Sequence, residues 1–454
     1  MNQQQIKQLV RTRVTPTPQH RQKIKETVTS LLIKIDEELL KLNSPAQPTL
    51  VGSIAKDTYL PESLDIDIFL VFPQNTDKKK LEDTALILGK NLLQNPESQY
   101  AEHPYVRGFF NNYMVEIVPC YQIQSANEKQ SAVDRTPLHT QYIQKHLQEQ
   151  QKSEVRMLKQ FLKGINCYGA EAQIQGFSGY LCELLIIKYG TFHWFINTAQ
   201  HWLCPVILGV TKKPYPVFST PLIFIDPVDT QRNVASAVSD ETFKQCIQAC
   251  QAYQQDPKLT FFYPNPLIPW SLTKIQEYLK QTQRQFYAIS FTKPDILDEN
   301  LFPQLRKSIQ VISNLLKKND FGVKNIWYYI DERQKQVYII IEPENTSVTA
   351  EVTHVGPPHH QKKHVQEFVA KWQNNPKTIQ PPYLKNNRYY VTIQREYTLL
   401  YELLHHELAC LSLGKQITNQ IQEGFKLHTQ EELFHSHLQE MWTRILEQKK
   451  PWDW

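Results

Sequence analysis

The first third of the chain alternates between helical and strand patterns of apolar residues. Thr17-Pro18 is typical of an N-cap followed by proline at the first helical position. Apolar residues then recur three or four positions apart and predict a long amphipathic helix, at Ile24, Val28, Leu31, Leu32, Ile35 and Leu39. The segments DIDIFLVF (65–72) and NNYMVEIVPCY (111–121) predict two strands, and we expect the second to stop at Pro119.

The remainder of the chain is first helical and then mixed. SEVRMLKQFLKGI (153–165) predicts a helix, and GYLCELLIIKYG (179–190) predicts a buried one. Further strands are predicted in RQFYAISF, NIWYYIDERQKQVYIII and NRYYVTIQRE, and helices in PQLRKSIQVISNLLKK and PHHQKKHVQEFVAKWQN. We expect the end of the chain to be mainly helical. The order predicts an N-terminal α/β unit, a helical middle and an α+β C-terminal region.

Composition narrows the class of protein. At 454 residues the chain is too long for one ordinary core, so about two to four domains are expected. The seven cysteines lack a CxxC spacing and are typical of reduced core thiols. No segment is apolar enough to span a bilayer, and the N-terminus lacks the apolar core of a signal peptide. We therefore expect a cytoplasmic protein that does not associate with membranes.

The net charge of +5 does not by itself indicate a nucleic-acid partner. Lysine pairs such as Lys212-Lys213 and Lys317-Lys318 permit a basic surface without requiring one. Histidines cluster near positions 359, 405 and 435 without cysteine or aspartate at ligand spacing, so we interpret them as surface residues or RNA contacts.

Two carboxylates interrupt the apolar pattern of the first predicted strand. Asp65 and Asp67 are two positions apart and therefore project from the same face, while the apolar residues between them enter the core. Like charges this close repel, and a divalent cation, for which we expect Mg²⁺, offsets the repulsion. Glu116, on the second strand, is the expected third ligand. Three carboxylates can hold two Mg²⁺ ions, one for an attacking hydroxyl and one for a pyrophosphate leaving group.

The alternative is that the two aspartates only face water on one side of an antiparallel sheet. The residues before them argue against it. Gly52 permits close backbone approach, Ser53 offers a hydroxyl and amide donors at a helix start, and Lys56 could neutralise phosphate charge. Gly-Ser followed at a distance by Asp-x-Asp on a strand resembles the signature of the nucleotidyltransferase superfamily.

The resemblance extends beyond that signature. Seven blocks stand in the order of archaeal-type (class I) CCA-adding enzymes, which are tRNA nucleotidyltransferases: GSIAKDTYLPESLDIDIFLVFP, VEIVPCY, SAVDRTPLHTQYI, EVRMLKQFLKGINCYGAE, GFSGYLCELLI, DPVDTQRNVA and KPDILDENLFPQLRKS. From the first block to the last they span roughly residues 51–308, which is more than half of the chain. The C-terminal part is similar in element order, with weaker motifs.

The resemblance implies an α+β fold with a palm-like catalytic head, a helical neck that reads the base, and an α+β body and tail. On this chain the head falls at 1–135, the neck at 136–258, the body at 259–316 and 388–454, and the tail at 317–387. The implied activity is template-independent addition and repair of the 3′-terminal CCA of tRNA from CTP and ATP. The body and tail would hold the acceptor stem and TΨC arm. The sequence leaves open whether the chain forms a homodimer.

The family's site residues are carried over position by position. The carboxylates fall on Asp65, Asp67 and Glu116, where the family usually has aspartate at the third. The nucleotide-binding positions fall on Gly52, Ser53, Lys56, His139, Lys159, Tyr168 and Arg232. Ser53 and Lys56 would contact phosphates, Lys159 and Tyr168 the phosphates and sugar, and Arg232 the base.

Structural roles stay open for several of these residues. His139 could cap a helix, Lys159 could be a solvated flank, Tyr168 could only pack, and Arg232 could pair with Asp229. At the level of function, two alternatives share the superfamily signature. One is another enzyme, such as a poly(A) polymerase or an oligonucleotide second-messenger synthase. The other is a non-catalytic tRNA-binding relative.

Overall fold

The chain folds into two units in a computed structural model that describes residues 1–100, 104–209 and 214–454. Unit 1 comprises residues 1–266 and 449–454, and unit 2 comprises residues 267–448. The pair Lys212-Lys213 lies outside the described residues. In the described part, no helix combines the length and apolar character that crossing a bilayer requires.

The elements mix helices and strands along the chain, which confirms the α+β class. The helices are α1 (Gln3–Val14), α2 (Pro18–Lys41), α3 (Gly52–Ala55), α4 (Lys78–Leu92), α5 (Thr136–His146), α6 (Gln151–Gly164), α7 (Gly179–Tyr189), α8 (Phe192–Ala199), α9 (Asp240–Gln255), α10 (Leu272–Thr282), α11 (Asp298–Lys318), α12 (Lys362–Trp372), α13 (Leu400–Glu407), α14 (Lys415–Glu423) and α15 (Gln439–Glu447). The strands are β1 (Gln47–Leu50), β2 (Asp65–Phe72), β3 (Gln94–Tyr100), β4 (Pro104–Phe110), β5 (Tyr113–Tyr121), β6 (Val206–Leu208), β7 (Leu222–Phe224), β8 (Tyr287–Thr292), β9 (Val323–Asp331), β10 (Gln336–Pro343), β11 (Glu351–Pro358), β12 (Thr378–Lys385), β13 (Arg388–Gln394) and β14 (Lys426–Thr429). Short 3-10 helices lie at Ala126–Glu128, Ala132–Arg135, Leu259–Phe261, Leu408–Cys410, Glu431–Leu433, Ser436–Leu438 and Pro451–Asp453.

A mixed sheet of order β1-β2-β5-β4-β3 organises the first part of unit 1. Strands β2 and β5 are parallel neighbours, and the other pairs are antiparallel. The expected stop at Pro119 is wrong, because β5 runs on to Tyr121. The β4 partner of β5 reaches only Ile117, so the missing N–H of Pro119 interrupts no hydrogen bond on that side.

Helices α2 and α4 share a core with this sheet, with members that include Ile24, Leu31, Ile66, Ile68 and Leu88. Helix α2 begins where the sequence predicts, since the Thr17 side chain accepts a hydrogen bond from the His20 backbone N–H. Burial of one helix face against the apolar positions of β2 fixes which face of that strand carries Asp65 and Asp67.

A second core in unit 1 lies among α1 and α6 to α9. Its centre is Phe161, whose ring contacts those of Phe192, Tyr253, Phe261 and Phe262. Aromatic edge-to-face contacts of this kind add to the area that the rings bury. Both α6 and α7 contribute buried residues to this core, and both helices carry side chains of the site described below.

Unit 2 contains an antiparallel sheet of order β14-β8-β10-β9 and a three-stranded sheet of order β11-β13-β12. The first sheet shares a core with α10 and α15, in which Trp442 is fully buried against Phe286. Trp327 and Tyr329, on β9, pack against this core. The end of the chain after β13 is mainly helical as predicted, although β14 adds a short strand.

All seven cysteines are free thiols. Cys120, Cys167, Cys182, Cys246 and Cys250 are buried, as predicted. The core interpretation is wrong for Cys204 and Cys410, which are exposed.

Candidate active site

Three carboxylates lie side by side on β2 and β5. In the parallel register Asp67 is opposite Glu116, and Asp65 is opposite Met114. Asp65 lies at the start of β2 and its side chain is 48% exposed, whereas the side chain of Glu116 is 25% exposed. The structure therefore brings together the three acids that the sequence proposed as metal ligands.

The closeness of these acids contributes to a raised pKa of Asp67. Burial, together with the negative charges of Glu116 and Asp65, raises the pKa of Asp67 to about 7. Burial also raises the pKa of Glu116, a change that Arg107 opposes and Asp65 reinforces. A bound cation would stabilise the fully ionised form of these acids.

Arg107 is a neighbour of the acids that sequence reasoning missed. It lies opposite Glu116 on β4, 3.5 Å from Glu116 Oε1 and 3.7 Å from Asp65 Oδ2. Within the described residues, no three His, Cys, Asp or Glu side chains are close enough together to form a finished metal site. The chemistry nevertheless fits a hard divalent cation, because the donors are carboxylate oxygens whose mutual repulsion is only partly offset by Arg107.

The absence of a side chain at Gly52 leaves room for the carboxylate of Asp67. It begins α3 with φ +69°, and a Cβ at this position would lie 1.8 Å from Asp67 Oδ2. The Val51 N–H also donates a hydrogen bond of 3.0 Å to the backbone oxygen of Asp67, which holds this turn against β2. Any larger residue at position 52 would displace the carboxylate.

Lys56 and Lys159, two of the predicted nucleotide-binding residues, both lie beside one buried acid. Lys56 Nζ lies 2.6 Å from Glu183 Oε2, and Lys159 Nζ lies 3.7 Å from Glu183 Oε1. Thr58 Oγ1 donates to Glu183 at 2.5 Å. Burial of Glu183 opposes its ionisation, but Lys56 and Lys159 outweigh it and lower the pKa of this carboxyl. Burial lowers the pKa of Lys159, and Glu183 opposes that change.

Tyr168 and Ser53 occupy the same neighbourhood. Tyr168 is half-buried, and its hydroxyl and Lys159 Nζ both lie within 3.5 Å of the position that a Cβ on Gly179 would take. Burial raises the pKa of Tyr168, so its hydroxyl stays protonated. The backbone oxygen of Ser53 accepts a 2.9 Å hydrogen bond from the Thr58 N–H, which ties the residue after Gly52 to the turn that carries Lys56.

His139 and Arg232 meet at a second buried acid, Asp226. Asp226 Oδ2 lies 3.0 Å from both His139 Nε2 and Arg232 Nη1, and the Tyr180 hydroxyl donates to Oδ1 at 3.2 Å. The rings of His139 and Tyr180 are stacked with centroids 4.2 Å apart. Burial opposes ionisation of Asp226, but its hydrogen bond and ion pair with His139 are among the contacts that lower its pKa to about 2.

The suggested pairing of Arg232 with Asp229 is wrong. Asp229 pairs instead with Lys129 at 2.8 Å and Arg135 at 2.7 Å. Arg232 keeps a side chain that is 30% exposed and is anchored at one end by Asp226. A guanidinium held in this way has donors left for a ligand.

Sequence reasoning missed the side chains that connect these groups, namely Thr58, Arg107, Tyr180, Glu183 and Asp226. Helix α7 carries two of them one turn apart. Tyr180 lies in the Asp226 cluster, and Lys56 Nζ is 5.9 Å from the centre of its ring. The motif GFSGYLCELLI contains both Tyr180 and Glu183, but in the sequence it served only as part of the family resemblance and did not indicate a role for either side chain.

The fold and the site together define a nucleotidyltransferase. The nucleotidyltransferase domain model matches residues 32–139, which include the three acids. The second domain of tRNA nucleotidyltransferase matches residues 153–263, and the C-terminal domain of CCA-adding enzyme matches residues 283–430.

The chain belongs to the CCA-adding enzyme family. It is 32% identical over 431 residues to the CCA-adding enzyme of Haloarcula marismortui, with 92% of each chain covered. It is 34% identical over 430 residues to that of Methanosarcina barkeri, with 93% of each covered. A solved structure of Cid1, described as an RNA terminal uridylyl transferase, has a TM-score of 0.45 and 14% identity, covering 59% of this chain and 98% of that one.

Proposed function

We propose that this protein adds the 3′-terminal C, C and A to tRNA from CTP and ATP, without a nucleic acid template and with release of pyrophosphate. The observation that carries the proposal is the parallel register of β2 and β5, which places Asp67 opposite Glu116 with Asp65 beside them. Its support in sequence is the family membership over nearly the whole chain.

Asp65, Asp67 and Glu116 would hold Mg²⁺ at the edge of the sheet. Bound there, two Mg²⁺ ions would lend positive charge to the attacking 3′-hydroxyl and to the departing pyrophosphate. One of Asp65 and Asp67 would also receive the proton of the attacking hydroxyl. Catalysis of this kind consists mostly of positioning and charge stabilisation.

The remaining site residues would bind the nucleotide. Ser53 and Lys56 face the triphosphate, with the positive charge of Lys159 behind them, and Tyr168 lies at the sugar. Arg232 presents a fixed guanidinium to the Watson–Crick edge of the base, because Asp226 holds it on the side away from the ligand. His139 completes this cluster with a ring stacked on Tyr180.

The body and the tail would hold the acceptor stem and TΨC arm of the tRNA. The body is assigned to residues 259–316 and 388–454, and the tail to residues 317–387. The head at 1–135 and the neck at 136–258 would hold the nucleotide. RNA in A-form is recognised mainly through its backbone and shape, so basic surface residues suit this role. A cytoplasmic location completes the proposal, and the oligomeric state stays open.

The test is incubation of the protein with tRNA lacking CCA and each labelled nucleotide in turn. Incorporation limited to C, C and A supports the proposal. A long A tail or a cyclic oligonucleotide product contradicts it in favour of another nucleotidyltransferase. Binding of tRNA without incorporation contradicts it in favour of a non-catalytic relative.

A further inference from the structure

Glu183 is the acid at which Lys56 and Lys159 meet. It lies on α7, is fully buried, and accepts hydrogen bonds from Lys56 Nζ at 2.6 Å and from Thr58 Oγ1 at 2.5 Å. Lys159 Nζ lies 3.7 Å away. Its partners come from a loop 125 and more positions earlier in the chain and from α6, so the acid joins three separate segments at one point.

The two lysines around Glu183 are not equivalent. Lys159 Nζ donates two hydrogen bonds to Thr58, to the backbone oxygen at 3.0 Å and to Oγ1 at 3.3 Å, and lies 3.7 Å from Glu183 Oε1 as an ion pair. Lys56 Nζ makes its hydrogen bond to Glu183, the one acceptor assigned to it among the described residues. Its side chain is 8% exposed. Lys56 therefore keeps more N–H donors for a ligand than Lys159, whose side chain is only 2% exposed.

The charges in this cluster do not cancel. Two ammonium groups face one carboxylate, and an unpaired buried charge is costly. An anion that reached Lys56 would complete the balance. The other charged and titratable groups whose charges act on the cluster are Asp67, Arg156, Tyr168, Tyr180 and Cys182. None of them is a second carboxylate in contact with either lysine.

We propose that Glu183 is the positioning residue of the triphosphate site: it holds Lys56 in place through one hydrogen bond and leaves the other N–H donors of Lys56 to the phosphate oxygens. Glu183 itself touches no phosphate. This inference rests on the proposed function, since it concerns how CTP and ATP are held. Lys159 is the second cation whose charge Glu183 balances.

The test is Glu183→Gln, which keeps the volume and removes the charge. Burial lowers the pKa of Lys159 and the charge of Glu183 opposes that change, so without the carboxylate Lys159 loses its proton more readily as the pH rises. Binding of inorganic triphosphate and of CTP, measured by titration calorimetry, should weaken by the same factor, about 10-fold to 100-fold, and more at about pH 9 than at about pH 7. KM for CTP and ATP should rise far more than kcat falls, while tRNA binding stays unchanged.

Glu342→Gln is the matched control, because Glu342 is a buried acid of unit 2 that is paired with Arg284 at 2.8 Å. It should lower stability without changing triphosphate binding. If Glu183→Gln does not fold, Glu183→Asp replaces it. That variant keeps the charge but is one methylene shorter, and it should raise KM for CTP several-fold without a new pH dependence.

Two results would overturn the inference alone: Glu183→Gln binding triphosphate as tightly as the wild type at every pH, or Glu183→Asp behaving as wild type when Glu183→Gln fails to fold. A wild-type protein that binds neither CTP nor ATP would instead overturn the proposed function and this inference with it. Wild-type binding of CTP therefore separates the two failures.

Discussion

At the scale of the residue, Gly52 has the least freedom to change. We expect Gly52→Ala to lose at least about 100-fold in kcat for nucleotide addition, because a Cβ would meet Asp67 Oδ2 at 1.8 Å and push the carboxylate aside. Gly190→Ala is the control, since Gly190 also has a positive φ, +83°, but has nothing within 4 Å of an added Cβ. Single-turnover extension of tRNA measures both. Equal losses in the two variants would show that backbone strain, and not the carboxylate, is responsible.

Asp67 should make the metal-free protein less stable as the pH rises. Its folded-state pKa of about 7 lies above the ordinary value of 3.8, so the unfolded chain releases this proton first. The resulting loss of stability begins near the ordinary pKa and is complete above the folded pKa. Asp67→Asn should therefore raise Tm by several degrees at about pH 8 without Mg²⁺, and by less at about pH 5.

Thermal unfolding in a chelating buffer checks this expectation. Asp65→Asn is the control, because its side chain is about half exposed and should give a smaller gain. A Tm of Asp67→Asn equal to or below that of the wild type at about pH 8 would contradict the assignment of Asp67 as a crowded acid.

At the scale of the element, sequence pattern succeeded where a strand is buried on both sides. Strand β2 has the predicted bounds, 65–72, since it lies inside the sheet between β1 and β5. The pattern overlooked β3, β4, β6, β7, β11, β12 and β14. Three of these strands, β3, β11 and β12, contain proline and lie at the edge of their sheets. An edge strand tolerates proline because one of its sides forms no hydrogen bonds with another strand. The sequence of such a strand is therefore harder to recognise as a strand.

The segment after β7 should control the choice of base. Asp226→Asn would remove the charge that anchors Arg232 and His139, and we expect KM for CTP and ATP to rise about 10-fold with more misincorporation of UTP. Asp229→Asn is the control, because Asp229 pairs with Lys129 and Arg135 instead. Single-nucleotide kinetics with CTP, ATP and UTP measure both. Unchanged base selection in Asp226→Asn would contradict the role given to Arg232.

At the scale of the whole molecule, the sequence predicted the α+β class and the family but not the contacts that complete the site. Asp65 and Asp67 could be predicted together because strand periodicity is local, and Glu116 was added from its own strand pattern and from the family resemblance. Glu183 and Asp226 could not, since they meet Lys56 and His139 across 127 and 87 positions of chain. Side chains that meet at such distances leave no periodic signal. The boundaries of the head, neck, body and tail stay predictions.

Separating chemistry from binding tests the central claim most directly. Extension of tRNA lacking CCA is measured for the wild type, Asp65→Ala and Asp67→Ala, with tRNA binding measured on the same preparations. The account predicts that both variants bind tRNA as the wild type does but extend it at least about 1,000-fold more slowly, because each lacks a carboxylate of the nucleotidyl-transfer site. Extension by both variants at the wild-type rate would contradict it.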